Sequence, residues 1–232
     1  MSIETATAIL LILVPIAFNA AFFALGRAFD YPDILRREPD EILRRFAAGG
    51  SGLLLRWEAL LVSALAMLPL AVLVAVVLGA PPALTGLSIV IGATAAIVQG
   101  LGLVRWPFAV PELARRYVDA PDGPAGDSTR ATVVVVFGTL HRLLGVGIGE
   151  HLGYLFTGLW TLLVAASILS TTVLPAWLGV VGVPIGLAVA IGTLEFVGSH
   201  ERDGWAMLGP VVPIAYIAWS VWLIALGVFL LV

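Results

Sequence analysis

The chain has 232 residues, of which 60% are hydrophobic and 12% are charged, with a formal net charge of −3 at pH 7. Soluble domains carry about 25% charged residues, so this composition predicts an integral membrane protein whose apolar surface is solvated by lipid. Cysteine and lysine are both absent, which excludes disulfides, thiolate metal sites and lysine Schiff bases, and the small negative charge gives no indication of nucleic-acid binding.

Six stretches are long and apolar enough to cross a bilayer, which takes about 20 residues in a helix. They predict a single all-α transmembrane domain over residues 1–232, built as a bundle of six transmembrane helices. Glu4 precedes the first apolar run and Arg27 follows it, the reverse of a signal peptide, so this run is predicted to be a retained helix. The predicted spans are roughly 6–25, 55–78, 83–104, 148–170, 175–197 and 210–232.

The basic residues are all arginines, and the connections that carry them alternate with short turns that carry no charge. The charged connections are 26–54, 105–147 and 198–209, and Arg56 at the start of the second span lies on the same side. By the positive-inside rule this side is predicted to be cytoplasmic. Both termini are then predicted to lie outside.

The stretch 131–173 is the ambiguous part of this topology, because a single helix of that length would extend for about 64 Å. Either glycines near its middle break it, or residues 131–148 form a seventh span. A seventh span would place His141 and Arg142 near the bilayer centre, which is costly, so six spans are favoured. Residues 130–144 are then predicted to form a cytoplasmic or interfacial helix, with Asp127, Ser128 and Thr129 as candidate caps.

Three segments on the arginine-rich side share the order proline, acid, apolar residues and two arginines: 32–37, 39–45 and 111–116. Each predicts a short helix with proline in the first turn and arginines toward its end. Their apolar residues predict amphipathic helices lying on the membrane surface, and the alternative is a docking site for a cytoplasmic partner at these arginine-rich loops. The apolar residues are Leu35, Ile42, Leu43 and Phe46.

Small residues recur at four-residue spacing in two of the predicted spans. They are Gly145, Gly149 and Gly153, and then Gly182, Gly186 and Ala190. Such faces let helices approach closely. Packing within one subunit is the default expectation, and a homo-oligomer through the Gly-rich faces is the alternative.

Polar side chains from several spans are predicted to gather near the cytoplasmic ends of the helices. Since intramembrane ionisable residues usually face the bundle interior or water, they predict a ligand pocket open toward the cytoplasm. Two alternatives stay open: a purely structural polar network, or snorkelling acids with Arg56-Trp57 and Arg105-Trp106 as interfacial anchors. The candidate pocket residues are Glu58, Gln99, Glu150, His151, Tyr154, Glu195 and Tyr216.

Specific chemistry has little support in the sequence. Glutamates and histidines could supply zinc ligands, but they lack the spacing of a known zinc motif, and His200 lies in a loop. We therefore predict no metal, no cofactor and no catalytic residue. A proton relay through Glu150 and His151 is a further alternative.

Several motifs identify a family resemblance. Residues 100–108, 141–154, 175–182 and 218–223, with Gly227 and Val228, resemble the bacterial multi-span membrane family catalogued as domain of unknown function 4386. The resemblance covers most of the chain from the second span onward. It implies a prokaryotic plasma membrane and a compact helical bundle, and it transfers no catalytic residue.

The sequence thus favours a non-enzymatic membrane protein whose polar pocket binds a small ligand, a lipid or a partner, with membrane lipids as its surroundings. One alternative is a transporter or channel, which needs a polar path to the outside. The other is a metal-dependent membrane enzyme using the Glu/His cluster.

Overall fold

The computed structural model describes residues 2–197, 205 and 208–232. This part of the chain contains helices and turns but no strand, and it confirms the predicted all-α bundle. His200 and Arg202 lie outside the described residues. Within the described residues, six helices are long and apolar enough to cross a membrane: Ile3–Phe29, Pro39–Leu78, Pro82–Val118, Pro124–Leu169, Ala176–Phe196 and Val211–Phe229.

The helices extend past the predicted spans, chiefly on the side of the arginine-rich connections. Short 3-10 turns at Asp33–Arg36 and Thr193–Phe196 precede α2 and follow α8. The helices are α1 (Ile3–Phe29), α2 (Pro39–Leu65), α3 (Met67–Leu78), α4 (Pro82–Leu103), α5 (Arg105–Val118), α6 (Pro124–Leu140), a π-helix (His141–Leu152), α7 (Gly153–Leu169), α8 (Ala176–Gly192) and α9 (Val211–Phe229).

The ambiguous stretch forms one continuous helix from Pro124 to Leu169. Its glycines do not break it, because the chain passes through the wider π-helix instead. The predicted caps at Asp127, Ser128 and Thr129 are wrong, since the helix begins earlier, at Pro124, with Gly123 before it at a φ of 93°. Proline is pre-organised for the first helical turn, which explains the earlier start.

Two buried clusters fill the bundle. The apolar core lies toward the uncharged turns and includes Leu11, Leu70, Val74, Trp160, Val164, Leu178 and Leu223. The aromatic cluster lies toward the arginine-rich connections and includes Phe29, Phe46, Trp57, Trp106 and Phe137. At its centre the indoles of Trp57 and Trp106 stack with ring centroids 4.2 Å apart.

The aromatic cluster corrects the prediction of helices lying on the membrane surface. Ile42, Leu43 and Phe46 are buried in it and do not face lipid. Trp57 and Trp106 are also fully buried, so neither arginine–tryptophan pair is an interfacial anchor. Aromatic side chains bury a large apolar area, and edge-on and stacked ring contacts add to the stability of such a cluster.

Two backbone features shape the arginine-rich end. Gly50 has a φ of 55° and a ψ of −154°, which kinks α2, and both halves of the helix contribute to the aromatic cluster. Pro111 lies inside α5, which begins at Arg105, so the third proline motif does not start a helix as predicted.

Both small-residue faces pack within the chain. A Cβ on Gly149 would lie 2.9 Å from the Cα of Gly102, so the backbones of α4 and the π-helix are in contact. A Cβ on Gly186 would lie 2.9 Å from the carbonyl oxygen of Gly158, which places α8 directly against α7. Glycine permits these approaches because it has no side chain.

Candidate functional site

A cavity at the arginine-rich end is the strongest candidate site. Its volume is about 40 Å³, enough for about two or three water molecules. It lies among α1, α2, α4, the start of α5, the π-helix and the start of α7, with apolar residues such as Phe18, Leu60 and Trp106 in its walls. Its polar lining consists of Tyr31, Gln99, Arg105, Glu150 and Tyr154.

Arg105 is the unusual residue of this lining, because its side chain is almost fully buried at a relative exposure of 5%. One Nη group donates to the carbonyl oxygen of Gly102, and the other lies 3.4 Å from Nδ1 of His141. Its Nε is buried without a partner among the described residues. The guanidinium lies against Gly145 of the π-helix, where any side chain would collide with it.

Glu150 lines the same cavity from the π-helix and is half-buried. No salt bridge joins it to Arg105 in the described part of the chain, although the two charges are close enough to interact electrostatically. The neighbouring acid Glu195 is buried and already paired, with an oxygen 2.5 Å from Nη2 of Arg36. A guanidinium and a carboxyl group therefore share one small cavity without forming a salt bridge among the described residues.

Tyr31 reaches the cavity from the connection between α1 and α2. Its ring packs edge-on against Phe22 and Trp57, at centroid distances of 4.8 and 5.1 Å. Burial raises the pKa of the Tyr31 hydroxyl above its usual range, with the Glu150 charge adding to the effect. The hydroxyl is therefore protonated at neutral pH and is available as a hydrogen-bond donor.

The structure brings three of the seven predicted pocket residues to this cavity: Gln99, Glu150 and Tyr154. Glu58 does not line it and is half-buried elsewhere on α2. Tyr216 lines a second cavity, of about 20 Å³, which shares Gln99 and Phe18 with the first. The Tyr216 hydroxyl is buried there.

His151 and Glu195 lie outside the cavity lining, where they form polar contacts between helical segments. Nδ1 of His151 lies 2.7 Å from Oγ1 of Thr193, and this hydroxyl donates to the carbonyl oxygen of His151 at 2.6 Å. Glu195 joins the turn after α8 to Arg36 before α2. No three histidine or acidic side chains converge as a metal site in the chain outside 198–204 and 206–207.

Arg105 and Tyr31 are the polar residues of the cavity lining that the sequence analysis did not predict. Arg105 stands beside Trp106, and an arginine–tryptophan pair at the end of a span has the same pattern as an interfacial anchor. The glycine spacing at 145, 149 and 153 was the available signal, since it predicts a close neighbour. It does not say that the neighbour of Gly145 is a guanidinium.

Comparisons with known proteins place the chain in one family. No curated protein matches it, and no solved structure matches it. The profile of a family described as Domain of unknown function (DUF4386) matches residues 6–232, almost the whole length. The chain, with its six membrane-crossing helices, belongs to the DUF4386 family.

Proposed function

We propose that this DUF4386 protein is a non-enzymatic binding protein of a prokaryotic plasma membrane, and that its cavity takes a small polar solute from the cytoplasm. The orientation is supported by the arginines, which the sequence confines to one side of the bundle. The cavity lies at that same end, close to Arg36 and to the aromatic cluster.

The burial of Arg105 without a carboxylate partner carries this proposal. A guanidinium has five N–H donors, and two polar contacts are made by its Nη groups. A buried charge with unused donors is costly unless another group compensates it. A polar solute in the cavity would supply that compensation.

The two other functions considered have less support. A transporter needs a polar path across the bundle, whereas the apolar core lies between this cavity and the uncharged turns. A metal-dependent enzyme needs at least three converging ligands, and the acids nearest the cavity do not converge with other ligands in the described residues. Glu195 is paired with Arg36, and Glu150 lines the cavity alone among the acids.

The proposal predicts ligand-dependent stabilisation. The purified protein in lipid nanodiscs would be titrated with acetate, methylammonium, formamide and glycine while its thermal unfolding is measured. We expect at least one probe to raise the unfolding temperature saturably, because a ligand that binds only the native state stabilises it. Arg105→Gln should abolish the shift, whereas Arg56→Gln, at an exposed position outside the cavity, should leave it unchanged. Four flat titrations would refute binding of a small polar solute.

A further inference from the structure

Arg105 and Glu150 line one cavity and form no salt bridge with each other among the described residues, so a ligand between them can contact both. We infer that the solute is a small zwitterion, with its anionic group on Arg105 and its cationic group toward Glu150. This inference rests on the proposed function and names the chemical class of the solute. Its experiment distinguishes the failure of one from the failure of the other.

Packing fixes the part of the site that would bind the anionic group of the solute. The Arg105 guanidinium lies against Gly145, and its Cζ is 5.1 Å from the centre of the Trp106 ring, so its direction is set before a ligand arrives. Its remaining N–H groups suit a carboxylate, because the planar fork of arginine matches two carboxylate oxygens. Tyr31 offers a hydroxyl from the same cavity wall.

Glu150, the acid in the cavity lining, would bind the cationic group of the solute. Glu195 is taken by Arg36, so it does not compete for a ligand cation. The rings of Tyr154 and Trp106 also line the cavity, and aromatic faces attract ammonium groups.

Charge balance favours a zwitterion over a simple ion. A bound anion would meet the Arg105 guanidinium but would add a negative charge beside the Glu150 carboxyl group. A bound cation would add a positive charge beside Arg105, and like charges in a poorly solvated cavity repel each other. A zwitterion compensates both groups at once.

The size of the cavity favours a free solute. The cavity has room for about two or three waters, and a small molecule such as glycine has a similar bulk. The headgroup of phosphatidylethanolamine carries the same pair of charges, with a phosphate as its anionic group. The lipid composition of the nanodiscs therefore has to be controlled.

The test compares Glu150→Gln with Glu58→Gln, the same change at an acid of α2 outside the cavity. Glycine, acetate and methylammonium would be titrated by calorimetry into each protein in nanodiscs of phosphatidylglycerol alone. We expect the unchanged protein to prefer glycine to both simple ions. Glu150→Gln should weaken the binding of glycine at least about tenfold, which corresponds to the loss of a charged hydrogen bond. It should not weaken the binding of acetate. Glu58→Gln should behave like the unchanged protein.

The outcomes separate the two proposals. Acetate binding as tight as glycine binding, or glycine binding unaffected by Glu150→Gln, would overturn the zwitterion and leave the binding function standing. Absence of binding by glycine, acetate and methylammonium would overturn the zwitterion, and a flat titration with formamide as well would overturn both proposals. If phosphatidylethanolamine displaces glycine from the unchanged protein and binds Glu150→Gln less tightly, the zwitterion stands and the lipid headgroup is its source.

Discussion

Individual glycines decide how the arginine-rich end is built. At Gly102 and Gly149 the backbones of α4 and the π-helix meet without intervening side chains. At Gly145 the missing side chain leaves room for the guanidinium of Arg105. The position of the charge in the cavity therefore depends on residues that carry no charge themselves.

The clearest residue-scale prediction is that Gly102→Ala destabilises the protein. A Cβ at this position would lie 3.0 Å from the carbonyl oxygen of Leu144 and still closer to the Cα of Gly149, and backbone atoms cannot turn away as a side chain can. We expect the free energy of unfolding in detergent to fall by about 2 kcal/mol or more, as for an overpacked core.

Gly86→Ala is the matched control on the same helix, because a methyl group there would meet no neighbouring atom within 4 Å. It should leave stability unchanged or raise it by about 0.5–1 kcal/mol, since alanine favours a helix more than glycine does. Equal unfolding curves for the two variants would contradict the close contact between α4 and the π-helix.

Whole elements depart from the sequence predictions chiefly at the arginine-rich end. Hydropathy predicts the six crossings because each needs about 20 apolar residues. It does not predict where a helix ends beyond the membrane, since polar residues are tolerated in water and the helix can continue. For this reason α2 begins at Pro39 and the fourth crossing helix at Pro124, well before the predicted spans.

The site is predictable to a similar extent. Gln99, Glu150 and Tyr154 stand out as polar residues in apolar stretches, and the structure places all three at the cavity. Arg105 could not be recognised, because its burial depends on the space at Gly145, a contact between elements far apart in sequence. Tyr31 lies in a connection whose path hydropathy does not constrain.

At the scale of the element, the kink of α2 is predicted to depend on Gly50. Its φ of 55° with a ψ of −154° is a conformation open to glycine and strongly disfavoured for other residues. There is free space around the position, so backbone strain is the cost of a side chain there. Gly50→Ala should lower the free energy of unfolding by about 1–3 kcal/mol.

Gly138→Ala separates strain from crowding. This glycine also has free space around it, but it lies in the regular helix α6. The substitution should therefore be neutral or stabilising when the free energy of unfolding of both variants is measured by thermal unfolding in detergent. Loss of stability at Gly138 as large as at Gly50 would show that the kink is not the cause.

For the whole molecule, the distribution of arginines predicts the orientation in the membrane. The chain has no cysteine, so single cysteines can be introduced without a background. Thr172 is exposed at the uncharged turn between α7 and α8, and Ala125 is exposed at the start of α6. In intact cells a membrane-impermeant maleimide should label Thr172→Cys and should label Ala125→Cys only after permeabilisation. The opposite pattern would invert the proposed topology.

The apolar core has an electrical consequence. Its leucines, valines and indole rings form a layer of low dielectric constant between the cavity and the uncharged turns. Moving an ion into such a medium costs tens of kcal/mol by Born solvation. The layer therefore acts as the dielectric of a capacitor. The protein can therefore carry buried charges at one face of the membrane without letting ions leak across the bundle and dissipate the membrane potential.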